Sequence, residues 1–403
     1  MPKRLDAHVF DLPVQELRRG YLSDIYFWRE KITLEHHHLT PQVTMQVFQK
    51  KEAVLCGVDE AIAVLKLAAV KFTDYETAYK LFDKLIDLKD RARRQFIGNH
   101  NAYLKTIEQK MEVSKQLDEL WESGYDQLKV EALYDGEPIS PWETVMHITG
   151  NASHFAHLET VYLGILARRT KIASNVRSVV DAANGKNVLY FPARFDHWAV
   201  QGGDGYAAHI GGATGVSTDA QAQWWGAKAS GTVPHALIAA VGGDTVKAVT
   251  LFGETYPEVD LVALVDFDND SVGTSLKCCE AMGDRLWGVR LDTSESLVDK
   301  SIVPQMQNFK PVGVTPRLVE ITRQTLDKNG YGHVKIIVSG GFAPDKIVEF
   351  EKQQVPVDVY GVGNYLMRGV NAFTADIVRL EGDACAKVGR KFNPNPRLEK
   401  VKF

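Results

Sequence analysis

The sequence predicts an α/β protein in which parallel strands alternate with helices as a barrel or incomplete barrel, after an N-terminal α+β region. Three observations indicate this. Short apolar runs recur from Val188 onward, as is typical of parallel strands buried on both faces. Helical stretches separate most of these runs, and no low-complexity segment interrupts them. The chain of 403 residues is also long enough for about two or three domains.

The N-terminal region combines helices with a few strands. Its apolar residues recur at spacings of three and four between Phe72 and Leu128, which predicts amphipathic helices. Two short strands are predicted in VTMQVFQKKEAVLCGV, and a helix from about His154 to Arg169. The prolines in EALYDGEPISPWETVMHITG indicate a boundary or an extended crossover. We therefore expect an N-terminal domain over 1–150, a catalytic domain over 151–380 and a polar C-terminal tail over 381–403.

The apolar runs of the second region are its predicted strands. They are NVLYFPAR, AAHIGG, AKASGTVPHAL, LVALVDFDND, LWGVRLDTS, VKIIVSGG and VDVYGVG. In barrels of this kind the chemistry lies where strands end, at their C-terminal edge. The candidate site residues are therefore Arg194, His235, Asp266, Asp268, Arg290, Asp292, Ser339, Gly340, Gly341, Gly361 and Gly363.

Charge and cysteine content exclude several classes of protein. A net charge of −4 disfavours a dedicated nucleic-acid binder, which would present a basic surface. The four cysteines include no C-x-x-C pair, which favours a reduced, cytoplasmic protein. The N-terminal sequence lacks the apolar core of a signal peptide, and no apolar run approaches the ~18 residues of a membrane span. We expect a cytoplasmic enzyme with no membrane or nucleic-acid partner.

Two glycine turns follow the last two predicted strands, VKIIVSGGF and VDVYGVGNYL. Backbone amides at such turns converge on anions, and the last two strands of these barrels commonly hold a phosphate. Arg290 and Asp292 in GVRLDTS lie on the same side of one strand because they are two residues apart. A buried strand that ends in Arg-x-Asp indicates a functional pocket more than a structural ion pair, because burying an ion pair costs desolvation free energy.

Acidic residues and one histidine complete the candidate set. Asp266, Asp268 and Asp270 share a face by the same period of two, and such carboxylates attract Mg²⁺, although they could instead cap a helix. His235, in SGTVPHAL, could act as a general base or accept a phosphoryl group. The other histidines, including the run at 36–38, are interpreted as structural.

Several of these motifs resemble, in the same order, those of the nicotinate phosphoribosyltransferase family. The segment GVSTDAQAQWWGAKASGTVPHAL is similar to the family's run from a Gly-Thr-Ser-Asn turn to Gly-Thr-x-x-His. FPAR is similar to its Phe-Gly-x-Arg turn, GVRLDTS to its Gly-x-Arg-x-Asp-Ser strand, and VSGG and YGVG to its phosphate loops. YLSDIY resembles its N-terminal Thr-Asp-x-Tyr. The resemblance covers about Phe191 to Met367, together with Ser23 to Tyr26.

The resemblance implies a type II phosphoribosyltransferase fold, with an incomplete α/β barrel and an N-terminal α+β domain that contributes to a head-to-tail homodimer. The implied active sites lie between subunits. The implied reaction joins nicotinate to phosphoribosyl pyrophosphate (PRPP) and gives nicotinate mononucleotide and pyrophosphate, as a step of NAD biosynthesis. ATP hydrolysis, with Mg²⁺, is the implied coupled driver.

The resemblance also implies a role for each matching residue. His235 would be phosphorylated by ATP, and Asp266 would orient its imidazole. Phe191, and Tyr26 from the neighbouring subunit, would enclose the pyridine ring, whose stacking rewards a flat acid.

Further implied roles concern the charged parts of the substrates. Arg194 and Arg290 would bind the carboxylate or the diphosphate, and Asp292 would hold the ribose hydroxyls. Ser217 and Thr218 are further candidates for substrate binding. The 5-phosphate would be bound by Ser339, Gly340, Gly341, Gly361 and Gly363.

The sequence also departs from the family pattern. Pro192 stands where a glycine is usual, and Asn269 replaces an acid, so that Asp268, with Asp266, becomes the candidate Mg²⁺ ligand. Ser294 and Glu295 replace a Gly-Asp pair. Some family members carry a cysteine-rich C-terminal zinc module, but only Cys385 lies there in this chain, so we expect no zinc.

Four alternatives remain open. A quinolinate phosphoribosyltransferase shares the fold and the donor but releases carbon dioxide and uses no ATP, and a nicotinamide-specific relative is also compatible. An unrelated barrel aldolase or isomerase would want a lysine at a strand end, and neither Lys228 nor Lys335 is at a C-terminal edge. A non-catalytic metabolite-binding relative is disfavoured by the intact His235, Arg290 and Asp292.

Overall fold

The computed structural model describes residues 4–306 and 309–402. The chain divides into two compact units, Met1–Thr170 with Asn371–Phe403, and Lys171–Val370. In chain order the strands are β1 Gln42–Gln49, β2 Ala53–Val54, β3 Val70–Phe72, β4 Trp121–Ser123, β5 Lys129–Ala132, β6 Pro138–Ile139, β7 Thr144–Asn151, β8 Asn187–Tyr190, β9 Gly215–Val216, β10 Leu261–Leu264, β11 Leu286–Leu291, β12 Lys335–Val338, β13 Val359–Val362, β14 Phe373–Leu380, β15 Asp383–Ala384 and β16 Glu399–Lys400. The α-helices are α1 Val14–Arg18, α2 Ile25–His36, α3 Val58–Ala68, α4 Tyr75–Gln95, α5 His100–Glu119, α6 Glu159–Ala182, α7 Gln201–Gly211, α8 Asp219–Ala222, α9 His235–Ala240, α10 Thr245–Thr255, α11 Ser271–Met282, α12 Pro316–Lys328 and α13 Pro344–Lys352.

The first unit is built on an antiparallel sheet in the order β15-β14-β1-β7-β5-β16. Strand β1 lies between β14 and β7, so that Val47 pairs with Ala375 on one side and Met146 on the other. All but the first residue of β1 are buried. The helices α4 and α5 pack against each other, and each begins at a side-chain cap, Asp74 for α4 and Asn99 for α5.

The second unit is built on a parallel sheet in the order β10-β11-β12-β13-β8-β9. Residues 230–233 run between its two edge strands. The amide of Ser230 donates to the carbonyl of Val216 in β9, and that of Val233 donates to the carbonyl of Val262 in β10. The sheet is thus curled into a half-barrel, which confirms the predicted fold class.

Apolar side chains fill the interior of the curled sheet toward its N-terminal edge. Val262, Ile337 and Val359 are buried there, and Leu189 and Trp287 pack against them. Because strand residues alternate between faces, the interior face continues toward the C-terminal edge with the polar residues that follow each strand. The apolar layer therefore packs next to the polar strand ends, on the side of the N-terminal edge of the sheet.

Two of the seven predicted strands are wrong. AAHIGG lies in α7, whose glycines allow close packing: a Cβ at Gly211 would lie 2.6 Å from Cβ of Val176 in α6. AKASGTVPHAL forms no strand, because it makes a single backbone hydrogen bond to each of β9 and β10 and Pro234 offers no amide. The short strand β9 was not predicted. The other five runs contain β8, β10, β11, β12 and β13, as predicted.

The observed division of the chain differs from the predicted boundaries at 150 and 380. It falls within α6, at Thr170, and again after Val370. The predicted crossover before residue 150 contains β6 and β7, and β14 pairs with β1 in the first unit. Part of the predicted tail is also structured, since β15 pairs with β14 and β16 pairs with β5.

Among the described residues, no helix is both long and apolar enough to cross a bilayer.

Candidate active site

A closed ring of hydrogen bonds lies at the C-terminal edge of the parallel sheet. Arg290, near the end of β11, donates from Nε to Ser339 Oγ at 2.8 Å and from Nη2 to Asp292 Oδ2 at 3.0 Å. Ser339, directly after β12, donates from Oγ to Asp292 Oδ1 at 2.6 Å. Both oxygens of the Asp292 carboxylate are thereby held, and the predicted convergence of the two strand ends is observed.

The Arg290 guanidinium also has a third partner and an aromatic neighbour. Its Nη1 donates to Thr232 Oγ1 at 3.2 Å, and its central carbon lies 5.2 Å from the centroid of the Phe191 ring. This ring crosses the backbone of Gly361, where a Cβ would lie 2.6 Å from Phe191 Cε2. Phe191 therefore needs glycine at position 361, and it presents a flat face beside a cation.

The two glycine turns are at the ends of β12 and β13. Gly340 and Gly341 have φ angles of 82° and 70°, a conformation that glycine adopts without strain. Within the described part of the chain, the amides of Gly340, Gly341 and Phe342 donate to no other residue. A Cβ at Gly363 would lie 2.7 Å from Phe195 Cε2. Successive free amides of this kind form a concave anion site.

His235 and Asp266 form a second polar pair. His235 is the first residue of α9, and its Nε2 lies 3.2 Å from Asp266 Oδ1, just beyond β10. Burial raises the pKa of Asp266, the adjacent imidazole lowers it, and the charge of Asp292 raises it further. Asp266 thus interacts electrostatically with the Asp292 carboxylate as well as with the imidazole.

The remaining candidates of this unit take part in local structure. Arg194 is exposed in a 3₁₀ turn that follows Phe191. The Ser217 amide and hydroxyl contact Gln221 Oε1, and Thr218 caps α8 by accepting from the Gln221 amide. Tyr26 lies in the first unit, at the start of α2, with 60% of its surface exposed.

The acidic run after β10 diverges. Asp266 points to His235, whereas Asp268 is exposed and Asp270 caps α11 by accepting from the Gly273 amide. Asn269, with a φ of 55°, donates to the carbonyl of Val298. In residues 4–306 and 309–402 no group of three or more His, Cys, Asp or Glu side chains is placed to hold a metal.

Sequence analysis assigned no role to two residues of the site. Thr232 accepts from Arg290, and its place in the Gly-Thr-x-x-His motif was the available signal. Glu295 lies against Gly341, where a Cβ would overlap its carboxylate. A cavity of about 780 Å³ adjoins the ring of hydrogen bonds and is lined by Phe191, Thr232 and the apolar interior.

Comparison with known proteins finds phosphoribosyltransferases among the proteins that this chain resembles. A model of the quinolinate phosphoribosyl transferase N-terminal domain matches residues 116–170. Nicotinate phosphoribosyltransferase pncB1 of Mycobacterium tuberculosis is 29% identical over 255 residues, which are 62% of this chain and 52% of the relative. The Bacillus subtilis nicotinate phosphoribosyltransferase is 24% identical over 79% of this chain and 56% of its own length. The chain thus spans about half the length of these curated relatives.

Solved structures extend the similarity to nearly the whole chain. The nicotinate-nucleotide pyrophosphorylase of Pyrococcus furiosus has a TM-score of 0.70 and 29% identity, covering 96% of this chain and 84% of that one. Human nicotinic acid phosphoribosyltransferase has a TM-score of 0.61 and 13% identity, covering 90% and 75%. At that identity the human protein supports the fold alone.

Proposed function

We propose that this chain is a type II phosphoribosyltransferase that transfers phosphoribosyl from PRPP to nicotinate, giving nicotinate mononucleotide and pyrophosphate for NAD biosynthesis. The single observation that carries the proposal is the ring formed by Arg290, Ser339 and Asp292 next to the free amides of the Gly340–Gly341 turn. This arrangement offers a cation, a fixed carboxylate and an anion cradle at one edge of one sheet.

The ring of hydrogen bonds suits the charge changes of phosphoribosyl transfer. As pyrophosphate leaves, positive charge develops at the ribose carbon and negative charge on the leaving group. Asp292, held at both oxygens, would face the ribose, and Arg290 would face the diphosphate or the carboxylate of the substrate. The pyridine nitrogen is already nucleophilic, so the transfer needs no general base.

Phe191 would stack on the pyridine ring. The absence of a side chain at Gly361 leaves room for the Phe191 ring in this orientation. The Arg290 guanidinium lies near the same ring. A planar acid between aromatic rings with a guanidinium at its edge combines stacking with bidentate pairing. Arg194, Ser217 and Thr218 remain candidates for the outer part of this pocket.

The glycine turns would bind the 5-phosphate of the sugar. The free amides of Gly340 and Gly341 support this assignment, with Ser339 beneath them and Gly361 and Gly363 on the neighbouring strand end.

ATP coupling through His235 is part of the proposal. The imidazole would attack the γ-phosphorus of ATP, forming the N–P bond as the P–O bond to ADP breaks. Asp266 engages Nε2, which leaves the other ring nitrogen available for the phosphoryl group. The imidazole side chain is 45% exposed, so a nucleotide can reach it.

Magnesium fits this chain as a substrate-carried ion. The described residues offer no dedicated cage, and Mg²⁺ commonly binds through one or two carboxylates plus substrate phosphates. Asp266 and the exposed Asp268 are the carboxylates that would contribute. When bound, Mg²⁺ supplies charge neutralisation of the diphosphate.

We also propose a homodimer with shared sites, in which Tyr26 of one subunit closes the pocket of the other. The exposure of Tyr26 in the single chain supports this. Mixing inactive Tyr26→Ala and Asp292→Asn proteins under subunit exchange should restore activity, because hybrid dimers contain one intact site. Failure of the mixture to regain activity would argue against sharing.

The test of the proposed function is product formation by the purified protein. With PRPP and Mg²⁺, nicotinate should yield nicotinate mononucleotide and pyrophosphate, ATP should stimulate the rate, and Arg290→Ala should abolish it. Turnover of none of the pyridine acids would refute the proposal.

Quinolinate phosphoribosyltransferase activity is the second candidate, because the matched N-terminal domain model carries that name. It predicts that quinolinate is consumed, carbon dioxide is released and ATP has no effect. Nicotinamide, assayed alongside, tests the amide-specific alternative.

A further inference from the structure

The turn assigned to the sugar phosphate is already in contact with a carboxylate of this chain. A Cβ at Gly341 would overlap Glu295 Oε1, so the carboxylate of Glu295 lies directly against this glycine. Glu295 follows β11 by four residues. The carboxylate beside the glycine turn therefore belongs to the loop after β11, whereas the turn itself follows β12.

A lysine side chain near Glu295 partly balances the negative charge of its carboxylate. Lys346, in the first turn of α13, interacts electrostatically with Glu295, Glu349 and Lys310. Burial lowers the pKa of Lys346, and the charge of Glu295 opposes that shift. The Lys346 ammonium lies 4.2 Å from the centroid of the Phe342 ring. Glu295, Lys346 and Glu349 all line one cavity of about 570 Å³.

We propose that the negative charge of Glu295, held against Gly341, repels the substrate phosphate at the Gly340–Gly341 turn and thereby weakens binding of phosphorylated sugars, an inference that rests on the proposed function. The carboxylate covers the side of Gly341 on which a Cβ would stand, and within the described part of the chain it accepts from neither glycine amide, so the phosphate meets a nearby like charge and not an occupied site. Lys346 interacts electrostatically with the same carboxylate. Glu295 thus sets the affinity for the sugar phosphate without contacting the reacting atoms.

The test measures binding of ribose 5-phosphate by isothermal titration calorimetry, together with the KM for PRPP. Glu295→Gln removes the charge alone, and Glu295→Ala also removes the atoms that cover Gly341. Both should bind ribose 5-phosphate about threefold to tenfold more tightly and lower the KM for PRPP, because a partly screened like charge is lost. The matched control is Glu349→Gln, which removes the same charge from the same cavity without touching Gly341.

The outcomes separate this inference from the proposed function. Tighter binding in both Glu295 variants but not in Glu349→Gln supports local repulsion of the phosphate by Glu295. Equal tightening in all three variants would assign the effect to net charge and overturn it, and so would unchanged or weaker binding in the Glu295 variants. If the wild-type protein binds neither ribose 5-phosphate nor PRPP, the proposed function fails and this inference fails with it.

Discussion

Ser339 Oγ donates a 2.6 Å hydrogen bond to Asp292 Oδ1, and so joins the ends of two neighbouring parallel strands. Ser339 is 3% exposed, and the same hydroxyl accepts from Arg290 Nε. The serine hydroxyl therefore links the arginine to the carboxylate and fixes their relative positions. Asp292 is held in one orientation before any substrate arrives, as electrostatic stabilisation of a transition state requires.

Ser339→Ala should reduce kcat/KM for PRPP by about tenfold to hundredfold, because a carboxylate released from one partner loses its orientation. Steady-state kinetics with nicotinate and PRPP measure this. Ser275→Ala is the matched control, since its hydroxyl donates to the carbonyl of Ser271 within α11. Each substitution should lower the free energy of unfolding by about 1 kcal/mol. Equal activities for the two variants would exclude a positioning role for Ser339.

Gly361→Ala should raise the KM for nicotinate severalfold, because the new methyl group would lie 2.6 Å from Phe191 Cε2 and displace the ring. The KM for each substrate, measured separately, checks this prediction. Gly164→Ala provides the control, since no atom of another described residue lies within 4 Å of a Cβ at that helical position. An unchanged KM for nicotinate in Gly361→Ala would remove Phe191 from the proposed pocket.

His235→Ala should abolish an acid-labile phosphate formed from γ-labelled ATP, and Asp266→Asn should slow its formation by about a hundredfold, since the imidazole loses its orienting partner. Labelling followed by acid treatment measures both effects. The control is His333→Ala, because His333 precedes β12 at the opposite edge of the sheet. A wild-type protein that takes up no label would remove the histidine role and favour the quinolinate alternative.

The contribution of buried histidines to the stability of the protein should fall as pH decreases below about 6.5, the ordinary pKa of histidine. Burial holds the pKa of His157 well below that value in the folded state. The unfolded chain therefore binds a proton at His157 that the folded chain does not bind. The free energy of unfolding decreases by up to about 1.4 kcal/mol per pH unit as a result. His147, whose pKa burial lowers to about 4, contributes in the same direction.

Urea unfolding at pH 7, 6 and 5 measures this dependence. His157→Phe should flatten the slope while retaining the edge contact of the ring with Trp28, which has centroids 5.7 Å apart. His100→Phe, at an exposed position, serves as the control. A slope that stays the same in His157→Phe would show that this histidine is not responsible.

Sequence patterns predicted the centre of the second unit well. The strands β10 to β13 are short apolar runs, and the period of two along β11 placed Arg290 and Asp292 on one side, as observed. The exposed position of Asp268 was not predicted, because the chain enters a turn after β10, in which the amide of Asn269 donates to the carbonyl of Asp266. Alternation along a strand no longer holds once the chain enters such a turn.

Long-range pairing explains most of the remaining differences. Strand β14 joins β1 although more than three hundred residues separate them, and no local pattern reports such a partner. Likewise the glycines of α7 predict turns locally, whereas Gly205 and Gly211 allow close contacts with neighbouring segments of the chain. The contact of Glu295 with Gly341 has the same origin, since it joins two loops that follow different strands.

The most direct measurement is a crystal structure of the protein with nicotinate mononucleotide bound. The account predicts the phosphate about 3 Å from the amides of Gly340 and Gly341, the ribose hydroxyls at Asp292 and the pyridine ring on Phe191. A nucleotide bound at the N-terminal edge of the sheet, or one whose phosphate and ribose contact neither Gly340–Gly341 nor Asp292, would contradict the account.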